Sequence, residues 1–409
     1  MSYFNIVAQT TENTVVTEEE LIQELCPDGV EYKKLGEIAT ISRGGNLQKK
    51  DFCPEGVPCI HYGQIYTRYG LFADKTFTFI SEDCAKKQKL AYPNDIVMAV
   101  TSENIEDVCK CVAWLGDGAV AVSGHTAIIH HNQNAKYLAY YFHTEMFAAQ
   151  KRKLVHGTKV MEVTPDTLNA VKIPVPPLQV QSEIVKILDN FAELTAELTA
   201  ELTAELTARR TQYEYYRDKL LTFDVLGGGA SDCVWRTLGD VANISRGVRV
   251  VRSQLGTDGK YPVFQNSMTP LGYHEKSNCL ANTTFVIGAG AAGEIGYSRT
   301  DFWAADDCFY LNCSDTLNSR YVYYALLCQQ QYISSKVRRS SVPRLSRSVI
   351  ESIVIPIPPT DVQQYIVNIL DRFDALCNDL TSGLPAEIAA RKKQYEYYRD
   401  RLLTFQERT

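Results

Sequence analysis

The feature that most constrains this chain is a near-perfect internal duplication. The block Gln212-Tyr-Glu-Tyr-Tyr-Arg-Asp-Lys-Leu-Leu-Thr-Phe223 returns as Gln394-Tyr-Glu-Tyr-Tyr-Arg-Asp-Arg-Leu-Leu-Thr-Phe405, with only Lys219 against Arg401 changed. At the same offset, Ile173-Pro-Val-Pro-Pro177 pairs with Ile355-Pro-Ile-Pro-Pro359, and Ile184 to Phe191 pairs with Ile366 to Phe373. Upstream, Leu35-Gly-Glu-Ile-Ala-Thr-Ile-Ser-Arg-Gly44 pairs with Leu238-Gly-Asp-Val-Ala-Asn-Ile-Ser-Arg-Gly247 at a longer offset. Starts and ends are shared while the middles diverge. Such a tandem suggests two versions of one task on a common scaffold.

The 409 residues allow two to four domains with their own cores. No apolar run approaches a membrane span, and the N-terminus lacks a signal pattern, so the expected location is the cytoplasm. The 12 cysteines include no Cys-x-x-Cys pair and no histidine at ligand spacing. They read as free thiols in a reducing compartment, not as a metal site. Net charge is −6, but its distribution is uneven. Lys151, Arg152, Lys153, His156 and Lys159 lie in a stretch without acid, as do Lys336, Arg338, Arg339, Arg344 and Arg347. Two basic patches at equivalent places on an acidic chain point to local contacts with a polyanion; a solvated face is the alternative.

Thr17-Glu-Glu-Glu20 forms a capping box for a short helix running to about Cys26, after an N-terminal extension. Residues 27–173 and 233–355 alternate short strand-like runs with turns and one helical pattern each, Lys136 to Phe147 and Ser319 to Gln331. Each ends in a Pro-rich elbow, which interrupts regular structure. Helical regions follow at 174–226 and 356–405. The first carries a long apolar stripe over about 45 residues, or roughly 65 Å. It includes three Thr-Ala-Glu-Leu copies over 195–206, whose leucines turn by about 40° per copy. Each copy lengthens the helix by about 6 Å, although a tolerated slippage tract has the same sequence. The second region should break at Ser382-Gly383 and restart at Pro385. Gly227-Gly-Gly229 reads as a flexible boundary. The expected fold class is α+β: two tandem α/β recognition domains joined by two long helices in an antiparallel coiled coil, with pseudo-two-fold symmetry.

Motifs for chemistry fail in turn. Gly288-Ala-Gly-Ala-Ala-Gly293 fits a dinucleotide fingerprint, but strand-like residues follow it where a helix is needed. Pro27-Asp28 with Glu31 and Lys33 is too tightly spaced for a nuclease site. The histidines form no metal spacing or triad. The polar material suits recognition of base edges or phosphates instead. In the first half the candidates are Arg43, Lys49, His61, Gln64, Ser102, Asn104, His125, Thr126, Lys153, Thr158 and Lys159. In the second they are Arg246, Arg249, Gln265, Asn266, Arg338, Arg339, Ser340, Ser341 and Arg344.

With its paired elbows, its Gln-Tyr-Glu-Tyr-Tyr-Arg-Asp blocks and its Thr-Ala-Glu-Leu run, the chain resembles specificity subunits of type I restriction–modification systems. It is most similar to the branch with these repeats in the central helix. The resemblance implies two target-recognition domains reading a bipartite, asymmetric site on double-stranded DNA, with a spacer set by repeat number. It implies two modification subunits as partners and, where restriction is present, two translocase–nuclease subunits. No cofactor belongs to this chain in that family; S-adenosylmethionine, ATP and Mg sit in the partner subunits. Tyr213, Tyr215, Tyr216, Tyr395, Tyr397 and Tyr398 are then expected at the subunit interface, although their aromatic character fits the core of the coil as well. A scaffold that pairs proteins without reading DNA remains the alternative.

Overall fold

The computed structural model describes residues 24–223, 233–379 and 381–408. The expected capping box at Thr17 and the Gly227–Gly229 boundary lie outside these residues. Packing divides the chain into two units, residues 1–199 with 389–409, and residues 200–388. Each unit therefore contains one variable region, the start of its own following helix, and the end of the other helix. The division falls within the helices, not at the elbows, because each helix buries part of its apolar stripe against its domain.

In the first unit, a five-stranded sheet runs in the order Ala39–Arg43, Thr126–His131, Ile96–Ala99, Cys111–Trp114, Phe72–Ala73. A second five-stranded sheet runs Phe52–Cys53, Thr78–Ile80, Val57–Ile60, Val120–Val122, Lys89–Ala91. Ile96, Val97, Met98 and Ala99 are all buried, so this central strand has apolar partners on both faces. The second unit has a four-stranded sheet, Ala242–Arg246, Cys308–Cys313, Thr283–Ile287, Ile295–Ser298, and a three-stranded one, Gly272–His274, Tyr261–Phe264, Trp303–Ala304. The glycine-rich segment is the turn between Thr283–Ile287 and Ile295–Ser298, with Val286 opposite Ile295, as its sequence indicates.

Each elbow is fixed by the same three contacts. Tyr137 donates its hydroxyl proton to Pro174 O at 2.9 Å, and Tyr321 to Pro356 O at 2.9 Å. Gln181 donates to Pro176 O at 2.8 Å and accepts from Asn134 N at 3.0 Å. Gln363 does likewise with Pro358 O and Asn318 N, both at 2.9 Å. The two buried glutamines thus supply acceptors and donors that Pro, lacking N–H, leaves unmet.

The central helix runs unbroken over Leu178–Leu221. Its counterpart is two helices, Thr360–Asn378 and Leu384–Leu402, with the interruption at the expected Ser-Gly-Leu-Pro segment. Asp379 accepts from Thr381 N at 2.7 Å and from Ser382 Oγ at 2.6 Å, which satisfies the turn. Those hydrogen bonds hold the Asp379 carboxyl well below the usual carboxylate range. Gly383 is required there, because a Cβ would lie 2.6–2.8 Å from the carbonyl oxygens of Ala375, Leu376 and Asp379.

Within each unit the two helices run antiparallel. In the first, Phe191 stacks on Tyr398 with ring centroids 5.8 Å apart; in the second, Phe373 stacks on Tyr216 at 5.8 Å. Such pairs add about 0.5–1.5 kcal/mol beyond area burial. The domain-to-helix contacts repeat as well. Tyr140 and Lys136 meet Asp189 at 2.8 and 2.7 Å. In the second unit Tyr324 and Arg320 meet Asp371, and Arg320 also reaches Asp374 at 2.7 Å.

Candidate nucleic-acid interface

The duplicated Ser-Arg-Gly triplet builds the same frame in both units. Arg43 lies opposite Ala127 in the antiparallel pair of strands, and Arg246 lies opposite Phe309. This register makes the turn residues Gly124-His125 equivalent to Asp306-Asp307. Each arginine Nε donates to a turn carbonyl: Arg43 to Gly124 O at 2.9 Å and Arg246 to Asp306 O at 2.6 Å. The following glycine amide binds the next carbonyl, Gly44 to Thr126 O at 3.0 Å and Gly247 to Cys308 O at 2.9 Å. Space demands these glycines. A Cβ on Gly44 would sit 2.0 Å from Ser123 O, and one on Gly247 2.2 Å from Ala305 O.

Two further strands of chain complete the frame. Val100 N donates to His125 O and Val163 N to Val100 O, both at 3.0 Å. Gly288 N donates to Asp307 O at 2.6 Å and Leu345 N to Gly288 O at 2.8 Å. A hairpin then closes on itself through His156 and Glu162, at 3.0 and 2.8 Å, or through Arg338 and Arg344, at 2.9 and 3.1 Å. All of these bonds use backbone atoms, apart from the arginine Nε. The frame is therefore insensitive to the side chains it carries.

Those side chains differ sharply. In the first unit Glu162 pairs with Arg43 at 3.4 Å, half exposed, and neutralises it. His125 is exposed, with its ring 4.9 Å from that of Tyr62, whose amide donates to Ser123 Oγ at 2.9 Å. His61 caps the helix Tyr62–Thr67 by accepting from Gly63 N. Burial, with Lys49 and His125 nearby, pushes the His61 imidazole below its ordinary pKa, so it acts as a neutral acceptor. In the second unit, the position of Glu162 is taken by Arg344. Arg246, Lys336, Arg338 and Arg344 line an open depression of about 570 Å³, together with Asp306, Asp307 and Phe309. This set offers cations for phosphates, forks for guanine edges and carboxylates for amino groups.

The other expected residues fall into three groups. Lys153, Thr158 and Lys159 are exposed on or just before the first hairpin, and Arg339, Ser340 and Ser341 at the tip of the second. Arg249, Asn266, Lys49 and Asn104 are exposed nearby in the chain, with Gln265 and Ser102 half-buried. Asn104 is held by Asp107 at 2.8 Å. Gln64 and Thr126 need correction. Thr126 is fully buried, its hydroxyl donating to Ser123 O at 2.6 Å, and Gln64 Oε1 accepts from His61 N and Thr78 Oγ1 at 3.2 Å. Both hold loops in shape and present no face to a base edge. Lys151, from the first basic patch, also turns inward: its amine donates to Glu106 O and Val108 O at 2.9 and 3.0 Å, and burial lowers its pKa. The sequence reading missed Glu162, Asp306 and Asp307, because only backbone register reveals their equivalences.

The sequence matches the family model for the type I restriction modification DNA specificity domain over residues 27–208 and 231–390. The chain belongs to this family. It is 35% identical over 272 residues to the putative type I restriction enzyme specificity subunit S.HindORF215P of Haemophilus influenzae, covering 61% of this chain and 68% of that one. It is 33% identical over 272 residues to the Escherichia coli EcoR124I/EcoR124II specificity subunit, covering 57% and 63%. The HsdS subunit from Thermoanaerobacter tengcongensis shares the fold, with a TM-score of 0.55 at 16% identity over 92% of this chain and 97% of that one. Specificity subunits are the non-catalytic, DNA-recognising components of their systems. Among the described residues no His, Cys, Asp and Glu group could hold a metal ion, and no helix is long and apolar enough to cross a membrane.

For this specificity subunit the helical tyrosines divide in two. Tyr213 is buried, Tyr216 and Tyr398 are stacked as above, and Tyr395 packs beside Tyr140 and Asp189. Tyr213, Tyr395 and Tyr398 hold the helices within their own units, which corrects their assignment to a subunit interface; Tyr216 stacks one face on Phe373 and remains 39% exposed. Tyr215 and Tyr397 are the outward pair, 59% and 57% exposed, each with a cation over its ring, Lys219 at 5.6 Å and Arg401 at 5.8 Å.

Proposed function

We propose that the two frames read two different half-sites of one bipartite, asymmetric sequence on double-stranded DNA. The observation that carries this is the pair of backbone-equivalent frames with unlike side chains: two readers of one design recognise two sequences. Exposed basic residues on or just before the hairpins, Lys153 and Lys159 in the first unit and Arg338, Arg339 and Arg344 in the second, supply phosphate contacts. The continuous helix with its Thr-Ala-Glu-Leu run sets the half-site separation. Two modification subunits dock on the helical blocks, one near each of the equally exposed Tyr215 and Tyr397, and bring S-adenosylmethionine. Restriction subunits, where present, bring ATP and Mg.

The deciding experiment is a methylation map of DNA from cells expressing this chain with its modification subunit, repeated after deleting Thr203 to Leu206. The deletion removes about 6 Å of helix. The expected result is a two-part adenine-methylation motif whose halves persist while the spacer shrinks. An unchanged spacer refutes the ruler. A verified complex that yields no motif refutes DNA reading and leaves a protein-pairing scaffold.

A further inference from the structure

We infer that the Asp306-Asp307 turn is the base-selecting element of the second unit, and that it takes a base presenting an exocyclic amino group in the major groove. The inference rests on the reading that this depression faces DNA. Four observations converge on it. The turn is held through its backbone carbonyls, Asp306 O by Arg246 Nε and Asp307 O by the Gly288 amide, so its position owes nothing to its own carboxylates. Asp306 Oδ1 is buried without a hydrogen-bond partner, and no bond of the Asp307 carboxylate is found among the described residues. Both side chains line a depression whose other charged groups are Arg246, Lys336, Arg338 and Arg344. The equivalent turn of the first unit carries Gly124-His125, so the pair is a point of divergence on a common frame.

The chemistry selects the ligand class. A carboxylate among phosphate-binding cations repels the DNA backbone, so in a reading groove it gains only where a donor meets it. Ionised carboxylates accept and never donate. In the major groove the donors are cytosine N4–H and adenine N6–H, and guanine and thymine offer acceptors at the matching place. Arg338 and Arg344 on the facing hairpin are suited to phosphates or to the guanine paired with such a cytosine. The first unit, with Gly124-His125 and no carboxylate at this position, lacks that preference for a donor.

The test uses the full chain assembled with its modification subunits, as wild type, Asp306→Asn, Asp307→Asn, and Asp306→Gly combined with Asp307→His. Each complex is competed against duplexes carrying every single base-pair substitution of the methylated motif. The expected result is loss of discrimination at one or two adjacent positions of one half-site, by roughly 5- to 150-fold. Whether that pair is G·C or A·T says which amino group, cytosine N4 or adenine N6, is read; the other half-site stays unchanged. Discrimination that is intact in every variant overturns the inference. So does a uniform rise in affinity for cognate and random DNA, which makes the aspartates simple counter-charges to the arginines. So does undiminished affinity when the cytosine or adenine of that pair is replaced by an analogue lacking its exocyclic amino group. The underlying reading fails separately, if Arg338→Ala with Arg344→Ala leaves affinity and its salt slope unaltered.

Discussion

Replacing Gly247 by alanine tests the frame most directly. A Cβ at that position meets Ala305 O at 2.2 Å and Ala304 O at 2.4 Å, both backbone atoms. Tolerable contact begins near 3.0 Å, so the turn must retreat by close to 1 Å. That retreat is resisted by Ala305 N, bonded to Phe264 O at 2.9 Å, and by the strand pairing of Ala304 with Phe264. Overpacking of this kind costs about 1–3 kcal/mol. Weakening the Gly247 N to Cys308 O bond and the Arg246 to Asp306 O bond adds about 1 kcal/mol each. The entropic benefit of Gly→Ala, about 0.4–1 kcal/mol, offsets only part. The net loss is about 2–4 kcal/mol, or roughly 5–15 °C in the melting of a unit this size. Differential scanning calorimetry of the purified chain reads it. A methylation map of the same variant should show the second half-site relaxed and the first intact, with Gly44→Ala giving the mirror image. A Gly247→Ala protein that melts within about 1 °C of wild type and keeps its full motif would refute the proposed frame.

The remaining predictions concern charge. Burial pushes the imidazoles of His131 and His143 down to about 4, against an unfolded value of about 6.5. The unfolded chain therefore binds more protons below pH 6.5, and the first unit loses stability as pH falls from about 6.5 to about 4. The second unit holds only one histidine, half-buried His274, so scans at pH 7.0, 5.5 and 4.5 should show the first unit's transition falling further, and His131→Gln with His143→Gln should reduce that drop. Arg320 bonds two carboxylates and is 7% exposed, whereas Lys136 meets one. Arg320→Met should cost about 3–5 kcal/mol, as for a buried pair broken from one side, and Lys136→Met clearly less, measured by urea unfolding. Arg338→Ala with Arg339→Ala should weaken binding to all duplexes and reduce the magnitude of the log affinity–log salt slope by about 1–2.

Much of the architecture was legible because it rests on long-period signals. The offset repeats, the Pro-rich elbows and the leucine stripe located both variable regions and both helical blocks, and Ser382-Gly383 located the break. The interface was legible only in part. Arg43 and Arg246 stood out through the repeated Ser-Arg-Gly, but their partners Gly124 and Asp306 share no residue type. Their equivalence exists in strand register and carbonyl positions, which side-chain identity does not encode. Gln64 and Thr126 misled for a related reason. A polar residue in a predicted loop looks the same whether it faces solvent or closes the loop from inside. The tyrosines misled through repetition: the copied block carries both the inward set at Tyr213, Tyr395 and Tyr398 and the outward pair at Tyr215 and Tyr397, with Tyr216 stacked on one face and exposed on the other, and only packing separates them.

On the proposed reading, that division of labour lets one half of the chain change its target without losing its fold. Stability in each unit comes from groups the duplication preserves: the Phe–Tyr stack, the elbow glutamine, the tyrosine hydroxyl on the proline carbonyl and the glycine pressed against the turn. The proposed reading groups hang on backbone-bonded turns that would close equally well around other side chains. The exchange of Gly124-His125 for Asp306-Asp307, and of Glu162 for Arg344, inverts local charge without altering one hydrogen bond of the frame. Substitutions at these tips should therefore change specificity at little cost in melting temperature, whereas substitutions at Gly44, Gly247, Gln181 or Gln363 should do the reverse. A tip variant such as Glu162→Arg that lowers the first unit's melting by more than about 5 °C, well beyond the roughly 0–1 kcal/mol of an exposed ion pair, would break this separation of roles.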